Sequence, residues 1–130
     1  MPLVRIDALG CDVQRLEALG RAVQEALGAA MGYPEDDHFQ ILTGHDGERG
    51  TVRHGTYLGV QRDDGIGYVA ITLRGGRPPA QKRALYRRIA ELAQEHAGTE
   101  PRNVFVTLTE NTDADWSLGN GEAQFLDDRP

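Results

Sequence analysis

The stretch MPLVRI, residues 1–6, decides the fold and holds the first candidate for chemistry. It places a proline directly after the first methionine, at the head of an apolar strand. If Met1 is removed, Pro2 carries a free secondary amine, and α-amino groups have pKa values near ~8 rather than the ~10.4 of lysine. Burial lowers such a pKa and a neighbouring carboxylate raises it. This amine can act as general base, general acid or nucleophile, although Met-Pro is also a common start without any chemistry.

Composition excludes several classes of protein. The 130 residues suffice for one domain with a hydrophobic core, assigned here to residues 1–130. A net charge of −6 argues against nucleic acid or an anionic membrane as partner. Cys11 is the single cysteine, which excludes a disulfide framework within the chain and fits a reducing compartment. The sequence contains neither a secretory signal nor an apolar run near ~18 residues, so we expect a soluble cytoplasmic protein.

Hydrophobic periodicity predicts four strands and two helices. The first helix is predicted over residues 13–31, capped by Asp12 and closed by Gly32. The second is opened by a proline pair and predicted over residues 78–97. Strands are predicted at residues 2–8, 39–43, 68–73 and 104–108. Residues 44–67 are glycine-rich and are expected to be irregular, with a short possible strand at 56–58 or a hairpin. Residues 111–125 form a glycine-rich tail with one tryptophan.

The chain repeats itself at an offset of 66 residues, since Leu19 corresponds to Leu85 and Val23 to Ile89. Matching glycines after both helices argue against chance. The pseudo-repeats, about 2–66 and 67–125, each have the order strand, helix, strand, which suits parallel pairing and right-handed crossovers. We therefore predict an α/β (α+β) fold with a four-stranded sheet and two helices on one face. The strands are apolar on both sides, so neighbouring subunits are expected to cover the other face.

A β-α-β duplication that begins at Pro2 resembles the tautomerase superfamily. Residues 110–121, ENTDADWSLGNG, followed by Ala123 and Phe125, resemble the C-terminal signature of malonate semialdehyde decarboxylases. Residues 34–40, PEDDHFQ, and His45 fit the same family. The resemblance covers nearly the whole chain, least well at residues 46–67. It implies a tautomerase-like homotrimer that works without a cofactor.

The resemblance also implies the site residues. Pro2 corresponds to the catalytic proline, and Asp37 to an aspartate of the Pro-x-x-Asp corner. Arg77 matches the second of two arginines before the second helix. The first arginine falls on Gly75, while Arg74 stands one place earlier. A one-residue slip turns a strand side chain to the other face, unless the glycine pair forms a bulge, so the part played by Arg74 stays open.

These residue types suit the loss of carbon dioxide from a β-keto acid. A cationic Pro2 nitrogen, or an iminium formed by it, stabilises the developing enolate. Arg77 can hold the substrate carboxylate through its planar fork, and Asp37 favours the protonated amine or positions a water. A dry wall is expected from Trp116, Leu118 and Phe125.

Each assignment has a plainer alternative. Asp37 can simply cap a turn, Arg77 can be a solvated residue before a helix, and Trp116 can be a packing residue. The histidines His45 and His54 lack ligand spacing, so no metal is expected.

Three hypotheses about function follow. The first is a decarboxylase or hydratase of small 3-oxo or unsaturated acids, with Pro2 cationic. The second is a keto–enol tautomerase of the phenylpyruvate type, with neutral Pro2 as general base. The third is a non-catalytic trimeric relative, which applies if Met1 is retained, because Pro2 then has only an amide nitrogen. The expected partners are a small carboxylate substrate and further copies of the chain, with neither nucleic acid nor membrane.

Overall fold

The protein is described by a computed structural model that covers residues 1–47 and 51–127. Four strands and two helices follow one another in two β-α-β units. Their bounds are β1 Pro2–Leu9, α1 Val13–Met31, β2 Phe39–His45, β3 Gly67–Arg74, α2 Pro79–Ala97 and β4 Val104–Asn111. Short 3₁₀ turns occupy Pro101–Asn103 and Asp113–Asp115.

The four strands form one sheet in the order β2-β1-β3-β4. Strand β1 runs parallel to β2 and antiparallel to β3, and β3 runs parallel to β4. Pro2 lies opposite Leu73, and Arg74 lies opposite Asn111. The beginning of β1 and the ends of β3 and β4 therefore meet at one end of the sheet.

Both helices pack on one face of this sheet and against each other. Alternate strand residues such as Val4, Ile6 and Ile71 point into the core between the sheet and the helices, where each is at most 1% exposed. From α2, Leu85 and Ile89 meet them, each also at most 1% exposed. The predicted fold class is thereby confirmed, including the placement of both helices on one face.

Local signals explain the helix ends. The Asp12 side chain accepts a hydrogen bond from the Arg15 backbone N–H at 2.8 Å, which satisfies one free donor of the first turn. Gly32 and Gly98 end the helices with φ of 76° and 66°, a left-handed conformation that side chains disfavour. Each helix has 19 residues. The assignment of residues 1–130 to one domain built from two pseudo-repeats stays a prediction.

The opposite face of the sheet carries no helix in the described part of the chain. Its large apolar side chains are partly open, with Phe39 49%, Ile41 42% and Phe105 42% exposed. Some polar groups share this face, among them Asp7, which lies 2.7 Å from the imidazole of His45. This face of the sheet thus keeps large apolar side chains that the described part of the chain leaves partly exposed.

The connection between β2 and β3 is irregular over its described residues, as predicted. The short strand expected at residues 56–58 is absent there, and a single bridge joins Tyr57 to Val60. Leu58 and Gly59 between them have positive φ, 51° and 77°, so the chain reverses instead of extending. In the described ranges, no helix is both long enough and apolar enough to cross a membrane.

Candidate active site

The amino terminus lies beside a partly buried carboxylate. The Met1 amino nitrogen is 3.2 Å from Asp37 Oδ2, and the two side chains are only 11% and 18% exposed. The Asp37 backbone N–H donates to the Pro34 carbonyl, which forms the predicted turn, so the carboxylate remains free to face the terminus. Its second oxygen, Oδ1, is buried and has no hydrogen-bond partner among the described residues. Asp37 thus combines the turn with an ion pair, rather than serving the turn alone.

Pro2 is placed one residue further along β1. Its ring is fully buried and it lies opposite Leu73 of β3. In this structure Met1 is joined to Pro2, so the amine at the ion pair belongs to Met1 and the Pro2 nitrogen is an amide. Pairing with β3 fixes the place of Pro2 at the end of the sheet.

A cavity of about 460 Å³ opens beside Met1. Its apolar wall includes Leu3 and Phe39 from the sheet and Trp116 and Leu118 from the C-terminal segment. Four polar residues complete it, namely Thr72, Asn111, Asp115 and Ser117. No described arginine or lysine lines the cavity. The two predicted wall residues Trp116 and Leu118 are therefore brought to the amino terminus.

The C-terminal segment is held in place by side-chain contacts. The indole Nε1 of Trp116 donates to Asn111 Oδ1 at 2.7 Å, and the Trp116 ring meets Phe125 edge-on with centroids 6.4 Å apart. Asp115 accepts from the backbone N–H and the hydroxyl of Thr112, and these hydrogen bonds lower the pKa of its carboxyl. Phe125, the third predicted wall residue, thus packs against Trp116 without lining the cavity itself.

Arg74 joins this assembly. Strand pairing continues regularly through Arg74 opposite Asn111, so its side chain lies on the same sheet face as Thr72. The guanidinium carbon lies 3.8 Å from the centroid of Phe125, and Nη1 donates to Asp113 at 3.0 Å. The regular strand, which we expected to turn Arg74 away, instead directs it to the side of the C-terminal wall.

Arg77 lies elsewhere. Gly76, with φ of 109°, turns the chain before it. Its Nη1 donates to the Met31 carbonyl at the end of α1 at 2.7 Å, and its guanidinium carbon lies 4.7 Å from the centroid of Tyr33. Arg77 is absent from the cavity lining. The structure therefore brings together Asp37, Trp116, Leu118, Phe125 and Arg74, whereas Arg77 contacts the first helix, and its predicted substrate contact stays a prediction.

The turn between Arg74 and Arg77 is fixed by Glu110 of β4. Its carboxylate accepts from the Gly76 backbone N–H at 3.2 Å and pairs with Lys82 of α2. The hydrogen bond from Lys82 is the largest cause that lowers the pKa of the Glu110 carboxyl. Burial opposes it, and the hydrogen bond from Gly76 adds a smaller lowering effect. This interaction links the start of α2 to the site.

Sequence reasoning assigned no role to Thr72 and Asn111, although both line the cavity. Asn111 belongs to the C-terminal signature of residues 110–121, and this membership is the sequence feature that could have pointed to a place in the site. In the described part of the chain, no group of three or more histidine, cysteine, aspartate or glutamate side chains is arranged to hold a metal ion.

Comparison with known proteins identifies the class. The family model described as "Tautomerase enzyme" matches residues 37–119. The chain belongs to this tautomerase family and is an enzyme, which confirms the resemblance to the superfamily.

Two relatives that are each named a probable tautomerase are similar to this chain over nearly its whole length. The probable tautomerase YusQ of Bacillus subtilis (strain 168) is 35% identical over 98% of this chain and 100% of its own length. The probable tautomerase YrdN of the same organism is 34% identical over 97% of both chains.

Solved structures agree with this assignment. A malonate semialdehyde decarboxylase, described as having decarboxylase and hydratase activities, is 31% identical with a TM-score of 0.85 over 95% of both chains. The FG41 malonate semialdehyde decarboxylase inhibited by 3-bromopropiolate is 32% identical, with a TM-score of 0.86 over 95% of this chain and 94% of its own. The resemblance to malonate semialdehyde decarboxylases is thereby confirmed at the level of the family.

Proposed function

We propose that this enzyme acts on small oxo acids through an enol or enolate, using the amine of Pro2 after removal of Met1. Its leading reaction is the decarboxylation of a 3-oxo acid such as malonate semialdehyde, with hydration of related unsaturated acids. The observation that supports this is the Met1 amino group, which pairs with Asp37 and belongs to a residue that lines an apolar cavity. Removal of one residue moves the amine to the first position of β1, which is buried opposite Leu73.

The reaction needs a cation beside the substrate carbonyl. When the bond to the carboxylate breaks, its electron pair moves toward the carbonyl oxygen and forms an enolate, which is then protonated on carbon. A protonated Pro2 stabilises that oxygen electrostatically. The carboxylate of Asp37 nearby favours the protonated amine, because an opposite charge stabilises the charged form.

Arg74 is our choice for the residue that attracts the substrate carboxylate. Its guanidinium lies on Phe125, which in turn supports Trp116 in the cavity wall. The sequence had favoured Arg77, but its guanidinium lies against Met31 and Tyr33. The guanidinium of Arg74, although it pairs with Asp113, contacts the Phe125 ring that supports the cavity wall. The apolar side chains of Trp116 and Leu118 then exclude water from the carboxylate that departs.

A second function is favoured by a specific feature of the cavity. No described arginine or lysine lines it, so a carboxylate held only by Arg74 from one side keeps freedom of orientation. Decarboxylation needs the carboxylate at a set angle, whereas keto–enol tautomerisation needs only a base at the right carbon. A phenylpyruvate-type tautomerase with neutral Pro2 as general base is therefore the alternative, and the relatives named probable tautomerases agree with it.

We also propose that the enzyme is a homotrimer. Two helices cover one face of the sheet, while Phe39, Ile41 and Phe105 remain exposed on the other. A fused 4-OT described as a symmetric trimer shares the fold, with a TM-score of 0.75 at 21% identity. Subunits arranged around a threefold axis would bury the open faces of the three sheets. A cytoplasmic location, and the absence of cofactor, nucleic acid and membrane partners, stay predictions.

The test is a Pro2→Ala variant whose amino terminus has been verified by mass spectrometry. Turnover of malonate semialdehyde and of phenylenolpyruvate should both disappear while the oligomer persists, and the ratio of the two wild-type activities distinguishes decarboxylase from tautomerase. Pro101→Ala, at the other end of the sheet, is the matched control and should keep full activity. Full activity in processed Pro2→Ala, or Met1 retained on an active wild-type enzyme, would refute the proposal.

A further inference from the structure

Asn111 lies where the end of the sheet, the turn between Arg74 and Arg77, and the cavity meet. It is the last residue of β4 and lies opposite Arg74. Its backbone carbonyl accepts from the Gly75 N–H at 2.8 Å, so its backbone is fixed to the end of β3. Its partly buried side chain lines the cavity beside Thr72 and Trp116.

The orientation of the Asn111 amide is set by Trp116. An indole N–H can only donate a hydrogen bond, so the atom that faces it at 2.7 Å must be the amide oxygen of Asn111. An amide whose oxygen is engaged in this way directs its NH₂ group elsewhere. Among the described residues, that NH₂ donates to no protein acceptor.

The remaining polar lining does not supply an equivalent donor. Asp115 is a carboxylate already engaged by Thr112, and no described arginine or lysine lines the cavity. Thr72 and Ser117 carry hydroxyls that can donate or accept. The NH₂ of Asn111 is thus the lining side-chain group that combines donor character with an orientation fixed by the protein.

We propose that Asn111 binds a carbonyl, enolate or carboxylate oxygen of the substrate through its amide NH₂, while its oxygen holds Trp116 in the cavity wall. This deepens the proposed function and rests on it. The inferred substrate class is an oxo acid that presents an oxygen acceptor next to the indole ring. A molecule of the same shape with a methyl group at that position is excluded, since the donor would be buried without a partner.

Asn111→Asp tests this role because it changes one half of the amide. The aspartate keeps an acceptor for Trp116 and replaces the NH₂ by a second oxygen. The emission of Trp116, the single tryptophan, should stay unchanged. Affinity for malonate, an unreactive probe of similar size, should fall at least about tenfold by calorimetry, as should kcat/KM. Asn111→Ala, which removes both halves, should weaken malonate binding and also shift the emission.

Asn120→Asp provides the matched control. It makes the same change of charge at an exposed position of the C-terminal segment, and its malonate affinity should stay within about twofold. The titrations are repeated in Pro2→Ala, so that loss of the proposed chemistry does not obscure binding by Asn111. Equal malonate affinity in wild type, Asn111→Asp and Asn111→Ala would overturn the inference, and so would a wild-type enzyme that does not bind malonate.

Discussion

Replacing Arg77 by alanine should lower the free energy of unfolding substantially, while it lowers kcat/KM to a smaller extent. Its Nη1 donates to the Met31 carbonyl at 2.7 Å in a partly buried position at the end of α1. A hydrogen bond from a charged group contributes about 1.5–3 kcal/mol. A cation at a helix C-terminus contributes about 0.3–1 kcal/mol, and a cation on an aromatic face about 0.5–1 kcal/mol. Because one charge makes all three contacts, these contributions overlap, and about 2 kcal/mol is a reasonable expectation.

Urea denaturation at a fixed protein concentration measures this loss. With a slope of about 2 kcal/mol per molar urea, a loss of about 2 kcal/mol moves the midpoint by about 1 M. Arg77→Lys should lie between wild type and Arg77→Ala, because lysine keeps the charge without the planar fork. The exposed Arg83 on α2 provides the control, and Arg83→Ala should leave the midpoint nearly unchanged.

Steady-state kinetics separate the two arginines. Arg74→Ala should lower kcat/KM for malonate semialdehyde at least about tenfold, since its guanidinium lies beside the cavity wall. Arg77→Ala should lower kcat/KM less when it is measured well below the urea transition. An Arg77→Ala variant with an unchanged midpoint and a tenfold or greater loss of kcat/KM would refute the geometric reasoning and support the assignment made from sequence.

Two further predictions concern assembly and pH. The enzyme should sediment at micromolar concentration with about three times the 14.3 kDa mass of one chain, and a wild-type monomer would contradict this. Ile41→Asp, on the open face of the sheet, should dissociate the trimer. Val13→Asp, at a 68% exposed residue on α1, should leave the trimer intact. Because the pKa of the Glu110 carboxyl is lowered below 4.5 in the folded protein, its contribution to stability is present above pH 4.5 and is lost as the pH falls through the lowered value. Lys82→Met should therefore reduce the acid-induced loss of urea midpoint, and equal losses in both proteins would contradict that pairing.

The sequence by itself determined the elements whose signals are local. Helix α1 was predicted over the residues that it occupies, because Asp12 and Gly32 act on the nearest turns of backbone. The order of two β-α-β units followed from periodicity and from the 66-residue offset. Family motifs of contiguous residues located Pro2, Asp37 and Trp116, since such motifs are readable without any knowledge of contacts.

Tertiary structure decided which of those residues meet. Arg74 and Arg77 are three residues apart, yet one contacts Phe125 and the other contacts Met31. Their separation depends on pairing with Asn111 across the sheet and on the positive φ of Gly76, neither of which local periodicity encodes. The orientation of the Asn111 amide likewise follows from a contact with Trp116, a side chain brought to it by the fold of the C-terminal segment. Side-chain direction at the end of a strand is set by register and turns, and these are properties of the assembled sheet.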